Sequence, residues 1–405
     1  MNKHLLHISL PVLGEFTNLE RFFSCIEKQS YQNFRVYVCV NQYESWWDKP
    51  EKKHYCLDNA RSLDYLNSLN KDNLIIIDKS SKGKGWPKKR GGAGWARKTL
   101  MDAISVENEE GIIVSMDADT HYPENYLQEI VTYFEHNPGK TGLSIPYYHP
   151  LENNETDRQI LRYEIYMRYY ALNMLRIENP YNFTALGSAI AIPLWAYRKI
   201  GGMTPVKSGE DFYLLQKLVK TGSLGQWVNT VAYPSARLSD RVLFGTGPAL
   251  IKGVKGNWSS YPLYPGRHFD LVKQTYDLFP GLYEREIDTP MTSFLKNQLG
   301  TEELWEPLRI NYKDRNNFIR ACISKVDGLR ILQFLRYKYS SSITEPDEQV
   351  LKTYFFEHFG QWLDEQMKYV LKTLNFDQSS VEELDMIRNF IFDQEMKLRK
   401  ISEIS

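Results

Sequence analysis

The sequence has few cysteines, no long apolar run and no excess of either charge. Its four cysteines, Cys25, Cys39, Cys56 and Cys322, are scattered without a Cys-x-x-Cys pair. That spacing argues against zinc and against a disulfide framework, and fits a reducing compartment. No run of roughly 18 apolar residues occurs, so no membrane span is predicted. The opening Met1-Asn-Lys-His-Leu-Leu-His-Ile8 begins a short apolar stretch broken by His4, His7 and then Pro11, a poor signal peptide. Lys+Arg and Asp+Glu both number 50, which removes a global field favouring nucleic acid or membrane. Internal repeats and low-complexity segments are also lacking. These absences lead us to expect a cytoplasmic protein without a nucleic-acid partner.

What is present is an ordinary globular composition: 42% apolar and 25% charged residues over 405 positions. That length suits roughly two or three domains. Strand-like runs at Leu5–Leu10, Phe34–Val40, Leu74–Ile77 and Ile112–Met116 alternate with helical patterns. Phe16–Gln29 carries Leu19, Phe22, Phe23 and Ile26 on one face behind a capping box, Thr17-x-x-Glu20. Gly94–Val106 and Pro123–Glu135 also read as helices, the latter opened by a first-turn proline. Strands alternating with helices predict a Rossmann-like α/β fold, a mostly parallel sheet flanked by helices. A Tyr-rich helix is expected over 160–177, its aromatic stripe more simply core than binding surface. After a Gly/Pro/Arg-rich stretch at 234–268 the pattern becomes helical, with amphipathic segments Phe318–Tyr337, Val350–Leu374 and Val381–Ile401. The last opens on the capping box Ser380-x-x-Glu383. The expected parts are therefore 1–265, α/β, and a helical C-terminal extension, 266–405.

The most informative segment is Met116-Asp117-Ala-Asp119-Thr120. Two carboxylates stand at the C-terminal end of a buried strand, where open α/β sheets place ligands. Residues i and i+2 share a face of an extended chain, so Asp117 and Asp119 can aim at one point. Such a pair suits Mg²⁺ or Mn²⁺ completed by phosphate oxygens; the alternative is a solvated strand end. Pro11-Val-Leu-Gly14-Glu15 leads the first strand into a helix, which suits an anion or a polar base edge. Equally, Glu15 could simply complement the helix dipole. Asn41 ends the second strand, as a base-edge contact or a turn residue.

Between Lys79 and Lys98 stand eight basic residues, interleaved with glycine, and no acid. Such a loop, Lys84 within it, could cradle a diphosphate, or be a solvated connection. Glu210 and Asp211 fall in the first turn of a helix striped by Leu214, Leu215, Leu218 and Val219. They read as dipole complements or as a catalytic carboxylate held on a rigid helix end. Arg237 and Arg241, four apart beside a Gly-rich loop, could clamp a leaving phosphate.

In this order the segments resemble the family 2 glycosyltransferases of the GT-A fold. The likeness covers roughly residues 5 to 250. It runs through Pro11–Glu15, Gln29-Ser-Tyr-Gln-Asn-Phe34, Asn41, Gly92-Ala-Gly-Trp-Ala-Arg97, Asp117-Ala-Asp119, Gly187-Ser-Ala-Ile-Ala-Ile-Pro193, Gly201-Gly202 and Glu210-Asp211. No single motif is specific; their ordered conjunction is. The resemblance implies that Pro11, Glu15, Asn41, Arg97 and Asp117 bind nucleotide. It also implies that Asp119, with Asp117, ligates the metal, and that Asp211 is the catalytic base with Glu210 beside it.

The chain departs from the family where Val40-Asn41-Gln42 stands in place of Asp-Asp or Asp-Gly, where Lys98 rather than Asn follows Arg97, and in lacking Gln-x-x-Arg-Trp. A single-addition enzyme is therefore expected rather than a polymerising one. The implied activity is metal-dependent, inverting transfer of a sugar from a nucleotide-diphosphate sugar, UDP favoured, to a hydroxyl of a glycan, glycolipid or other cell-surface polysaccharide precursor. A lipid-linked acceptor would bring peripheral contact with the inner membrane face. Alternatives are a nucleotidyltransferase acting on sugar phosphates, or a non-catalytic nucleotide-sugar or glycan-binding protein.

Overall fold

A computed structural model describes residues 4–206, 209–238, 246–341 and 345–404, the side chain of Ile404 excepted. Its contacts divide the chain into two units. One comprises Met1–Ile160, Phe183–Gly256 and Arg399–Ser405; the other comprises Leu161–Asn182 and Asn257–Leu398.

The first unit is built on a mostly parallel sheet flanked by helices. Its strands are β1 (Leu6–Val12), β2 (Phe34–Asn41), β3 (Leu74–Lys79), β4 (Ile112–Ser115), β5 (Gly142–Ser144), β6 (Ile190–Pro193) and β7 (Leu224–Gly225). They lie in the order β3-β2-β1-β4-β6-β5-β7. The block β3-β2-β1-β4 is parallel, and β6 runs antiparallel to both β4 and β5. The helices are α1 (Phe16–Glu27), α2 (Lys53–Ser68), α3 (Ala93–Glu107), α4 (Tyr126–His136), the first four residues of α5 (Asp157–Arg176), α6 (Leu194–Lys199), α7 (Glu210–Thr221) and α8 (Thr246–Val254). Leu6, Ile8, Leu10 and Val12 of β1 face a core with Phe22 of α1 and Ile130 of α4. Helix α3 packs on β1 and β2. With helices over the sheet, β1 and β4 are buried almost throughout, as parallel strands require.

Two expected caps form differently. Helix α1 starts at Phe16 behind Glu15, so Thr17-x-x-Glu20 lies inside it and caps nothing. Gly14, at φ 63°, turns the chain, and Asp58 of α2 accepts the Phe16 amide at 3.1 Å. An orphan helix-start amide is thus satisfied from a neighbouring helix rather than locally. Helix α4 starts at Tyr126, three residues beyond Pro123, and the Gln29 side chain accepts the Leu127 amide at 3.0 Å.

The second unit is helical. It holds α5 from Leu161 on, then α9 (Gly266–Asp277), α10 (Phe279–Leu282), α11 (Thr292–Leu299), α12 (Glu306–Asn311), α13 (Arg315–Lys325), α14 (Gly328–Ser340), α15 (Asp347–Phe359), α16 (Glu365–Thr373) and most of α17 (Val381–Ile404). The expected helix 318–337 is two, because the Asp327 side chain accepts the Arg330 amide and starts a new one. The expected helix 350–374 likewise breaks, and Asp364 caps α16 through the Met367 amide. The Ser380-x-x-Glu383 box forms in both directions, at 2.8 and 3.1 Å. Tyr163 and Tyr169 are buried, so the Tyr-rich helix serves the core. No described helix is long and apolar enough to cross a membrane.

Candidate active site

Beyond Ser115 the chain leaves the sheet in a turn, with the Thr120 amide donating to the Asp117 carbonyl at 3.2 Å. Asp117 and Asp119 therefore sit on a turn rather than on an extended strand, yet both line one cavity at the sheet's C-terminal edge. The Asp117 amide donates to the Tyr122 hydroxyl at 2.9 Å, and that hydroxyl donates to the Ser188 carbonyl at 3.1 Å. Tyr122 thus fixes the turn, a role the sequence reading missed although it lies three residues past the motif.

Arg97 organises the site from α3. Its Nη2 donates to both Asp117 oxygens at 2.8 and 3.1 Å. Nη1 donates to Ser115 Oγ at 2.8 Å and to the Gly187 carbonyl at 3.0 Å, and Nε to Glu210 Oε1 at 3.2 Å. All faces of the guanidinium fork are used. Burial opposes its charge, but Asp117, Glu210 and Asp211 outweigh that and raise its pKa. Two glycines make room. A Cβ on Gly187 would stand 2.5 Å from Arg97 Nη2, and one on Gly94 would stand 2.2 Å from the Val206 carbonyl.

Glu210 and Asp211 open α7 just after Gly209, at φ 77°. Glu210 is buried against Arg97. Asp211 is half-buried, and its Oδ1 accepts the Phe212 amide at 2.8 Å. Burial pushes both carboxyls up, opposed by the Arg97 charge. Neither lines the cavity.

Across the cavity, Arg237 lies against Glu15 and, at 2.7 Å, against Asp119. Burial opposes its charge as well, yet Asp119 and Glu15 raise its pKa. Asn41 lines the cavity with its amide engaged: Nδ2 donates to the Val12 carbonyl at 2.9 Å, and Oδ1 accepts from the Trp86 indole at 3.3 Å. Pro11, Glu15, Asn41, Arg97, Asp117 and Asp119 thus meet at one place. Lys84 does not; its ammonium lies 3.1 Å from Asp78. Arg241 lies outside the described residues.

No group of three or more His, Cys, Asp or Glu among the described residues gathers to hold a metal. What the site offers is two hard carboxylates, Asp117 and Asp119, within a surplus of acid: Glu15, Asp117, Asp119, Glu210 and Asp211 face the guanidiniums of Arg97 and Arg237. One or two carboxylates plus substrate phosphates is how Mg²⁺ is commonly bound, so these residues fit a divalent cation that arrives with a nucleotide.

No protein-family model matches the chain, and no curated protein does. Among solved structures it is similar to S. aureus TarS 1-349 in complex with UDP-GlcNAc. That likeness has 12% identity, covers 99% of this chain and 90% of that one, and has a TM-score of 0.42. It is also similar to the mannosyltransferase PcManGT from Pyrobaculum calidifontis in complex with GDP-Man and Mn²⁺. There the identity is 10%, the coverage 96% and 87%, and the TM-score 0.38. Likenesses this distant carry no argument about activity.

Proposed function

We propose that the chain is a glycosyltransferase, its catalytic part within 1–265, that moves a sugar from a nucleoside-diphosphate sugar to an acceptor hydroxyl with inversion. The observation that carries this reading is Arg97. One buried guanidinium pairs with Asp117 from the end of β4 and with Glu210 from the start of α7, which ties both acidic motifs to one side chain. Asp119, Glu15 and Asn41 then wall a cavity at the sheet edge where α/β folds bind nucleotides.

The chemistry follows from charge. The acceptor hydroxyl oxygen attacks the anomeric carbon while its proton passes to the Asp211 carboxylate. The bond from that carbon to the diphosphate oxygen breaks, and its electron pair leaves on the nucleoside diphosphate. Attack opposite the leaving group inverts the centre, as in the inverting logic of glycosidases. Asp211 suits the base role better than Glu210, whose carboxylate is spent on Arg97. Arg97 holds Asp117 in place, and Arg237 is close enough to Asp119 to meet a phosphate there. A Mg²⁺ or Mn²⁺ ion held by Asp119 and Asp117 would neutralise the departing diphosphate. UDP is the favoured nucleotide, and a glycan or lipid-linked glycan the favoured acceptor.

Asp211→Asn tests the assignment. Sugar transfer should fall at least 1000-fold while nucleotide binding, read by calorimetry, stays within twofold. Full turnover in the variant would overturn it. Release of inorganic diphosphate from a nucleoside triphosphate and a sugar phosphate would instead mark a nucleotidyltransferase.

A further inference from the structure

The cations crowded between Lys79 and Lys98 are only partly absorbed by this site. Arg97 is the inner clamp, Lys98 pairs with Asp102 at 2.7 Å, and Lys84 pairs with Asp78. Lys82, Lys88, Lys89 and Arg90 are exposed, and no residue from Lys79 to Gly92 lines the cavity.

The loop that carries them is built rather than slack. Asp78 Oδ1 accepts the amides of Ser80 and Ser81 at 3.0 and 2.9 Å. The Glu44 carboxylate accepts those of Gly83 and Gly85, both at 2.8 Å. A Cβ on Gly85 would stand 2.7 Å from the Glu44 amide nitrogen, so glycine is what lets the loop close there. Trp86 is buried, its amide donating to the Gln42 carbonyl at 2.8 Å and its indole to Asn41. Arg90 lies 5.5 Å above the Trp95 ring. The loop is anchored at Asn41 and runs into Ala93, and both residues line the cavity. In a chain of zero net charge, Lys79 to Arg90, a stretch with six bases and no acid, is therefore fixed next to two residues of the cavity wall without lining the cavity itself.

We propose that this platform, Lys82 to Arg90, binds an acceptor carrying repeated negative charge, phosphate or carboxylate groups along a glycan chain. This rests on the glycosyltransferase reading. The two phosphates of a nucleotide sugar belong in the cavity, whereas exposed cations spread along a nine-residue loop outside it suit a longer polyanion. Lysine ammoniums are mobile point charges that bind successive anionic groups without demanding one geometry. Nucleic acid fits less well, because one loop is not a stripe and the whole chain is neutral.

The test uses the full chain and a K88Q/K89Q/R90Q variant. Binding of inorganic polyphosphate, polygalacturonate, neutral dextran and single-stranded DNA is measured across a salt series, and nucleotide binding separately by thermal shift. We expect both glycan-type polyanions to bind and dextran not to. The variant should bind them at least tenfold more weakly, with a log–log salt slope shallower by about 2, at roughly 0.7 per lost contact. Its nucleotide shift should equal that of the wild type. Unchanged polyanion binding in the variant would overturn the proposal, as would DNA binding tenfold tighter than either polyanion. Joint loss of nucleotide binding would assign the loop to the donor instead. Loop-dependent polyanion binding with no nucleotide shift in either protein would remove the acceptor role together with the transferase reading.

Discussion

Arg97 is the residue on which the site turns, because it satisfies Asp117 and Glu210 at once from a buried position. Removing one partner of a buried charge cluster leaves the others uncompensated, typically at about 3–5 kcal/mol. Arg97→Ala should therefore lower the unfolding free energy, read by urea denaturation, by that order and abolish nucleotide binding. Arg97→Lys should rescue little, since a single ammonium cannot reproduce the fork. A variant with wild-type stability and binding would show that the cluster does not organise the site. Gly187→Ala should mimic part of this loss, its Cβ displacing the guanidinium. With Asp211 as the proposed base, its titration should set the pH response. Burial raises its pKa, and a base must be deprotonated to act, so activity is lost as pH falls through that raised value. The acid limb of kcat/KM should lie above the ordinary aspartate value of about 3.9, and vanish in Asp211→Asn. A limb at or below 3.9 would contradict Asp211 as base.

At the scale of elements, much of the first unit is legible because each signal is local. Ile112–Ser115 reads as a buried strand from composition alone, and the stripe Leu19, Phe22, Phe23 and Ile26 marks the buried face of α1. Motif residues far apart in sequence meet at one cavity because parallel strands deliver their C-terminal ends to one edge. What was illegible depends on partners remote in sequence. Thr17 looks like a cap, but Asp58 supplies it. Arg237 reads as a phosphate clamp beside a Gly-rich loop, yet it bridges Glu15 and Asp119.

In the helical unit, Glu164 and Arg168 stand on α5, and Arg388 and Glu395 on α17. All four are buried in one network, with Arg168 at 2.6 Å from both Glu164 and Glu395. Glu395→Ala should destabilise the protein by about 3–5 kcal/mol, because the buried Arg168 loses one of its two carboxylate partners. Arg168→Met combined with Glu395→Leu should cost markedly less, as read in a double-mutant cycle of urea unfolding. Equal losses would show that packing, not charge compensation, sets the effect.

At the scale of the whole molecule, His268 gives stability an acid limit independent of catalysis. It is buried in the second unit, and burial, with Arg267 and Lys338 nearby, lowers its pKa to about 4. Below the ordinary value of 6.5 the unfolded chain takes up a proton that the folded chain refuses. Stability should therefore fall as pH drops from 6.5 towards 4 and level off below that. His268→Gln should flatten that part of the urea-midpoint profile; an unchanged slope would place the effect elsewhere.

The central claim is that Asp117 and Asp119 stand where a nucleoside diphosphate and a divalent cation bind together. The most direct measurement is a thermal-shift panel of UDP, GDP, CMP and dTDP, with and without Mn²⁺, on the wild type and Asp119→Ala. A ligand that binds the folded state alone raises Tm by mass action. We predict a Mn²⁺-dependent rise with UDP that is lost in Asp119→Ala. No rise with any nucleotide, or one that persists undiminished in the variant, would contradict the account.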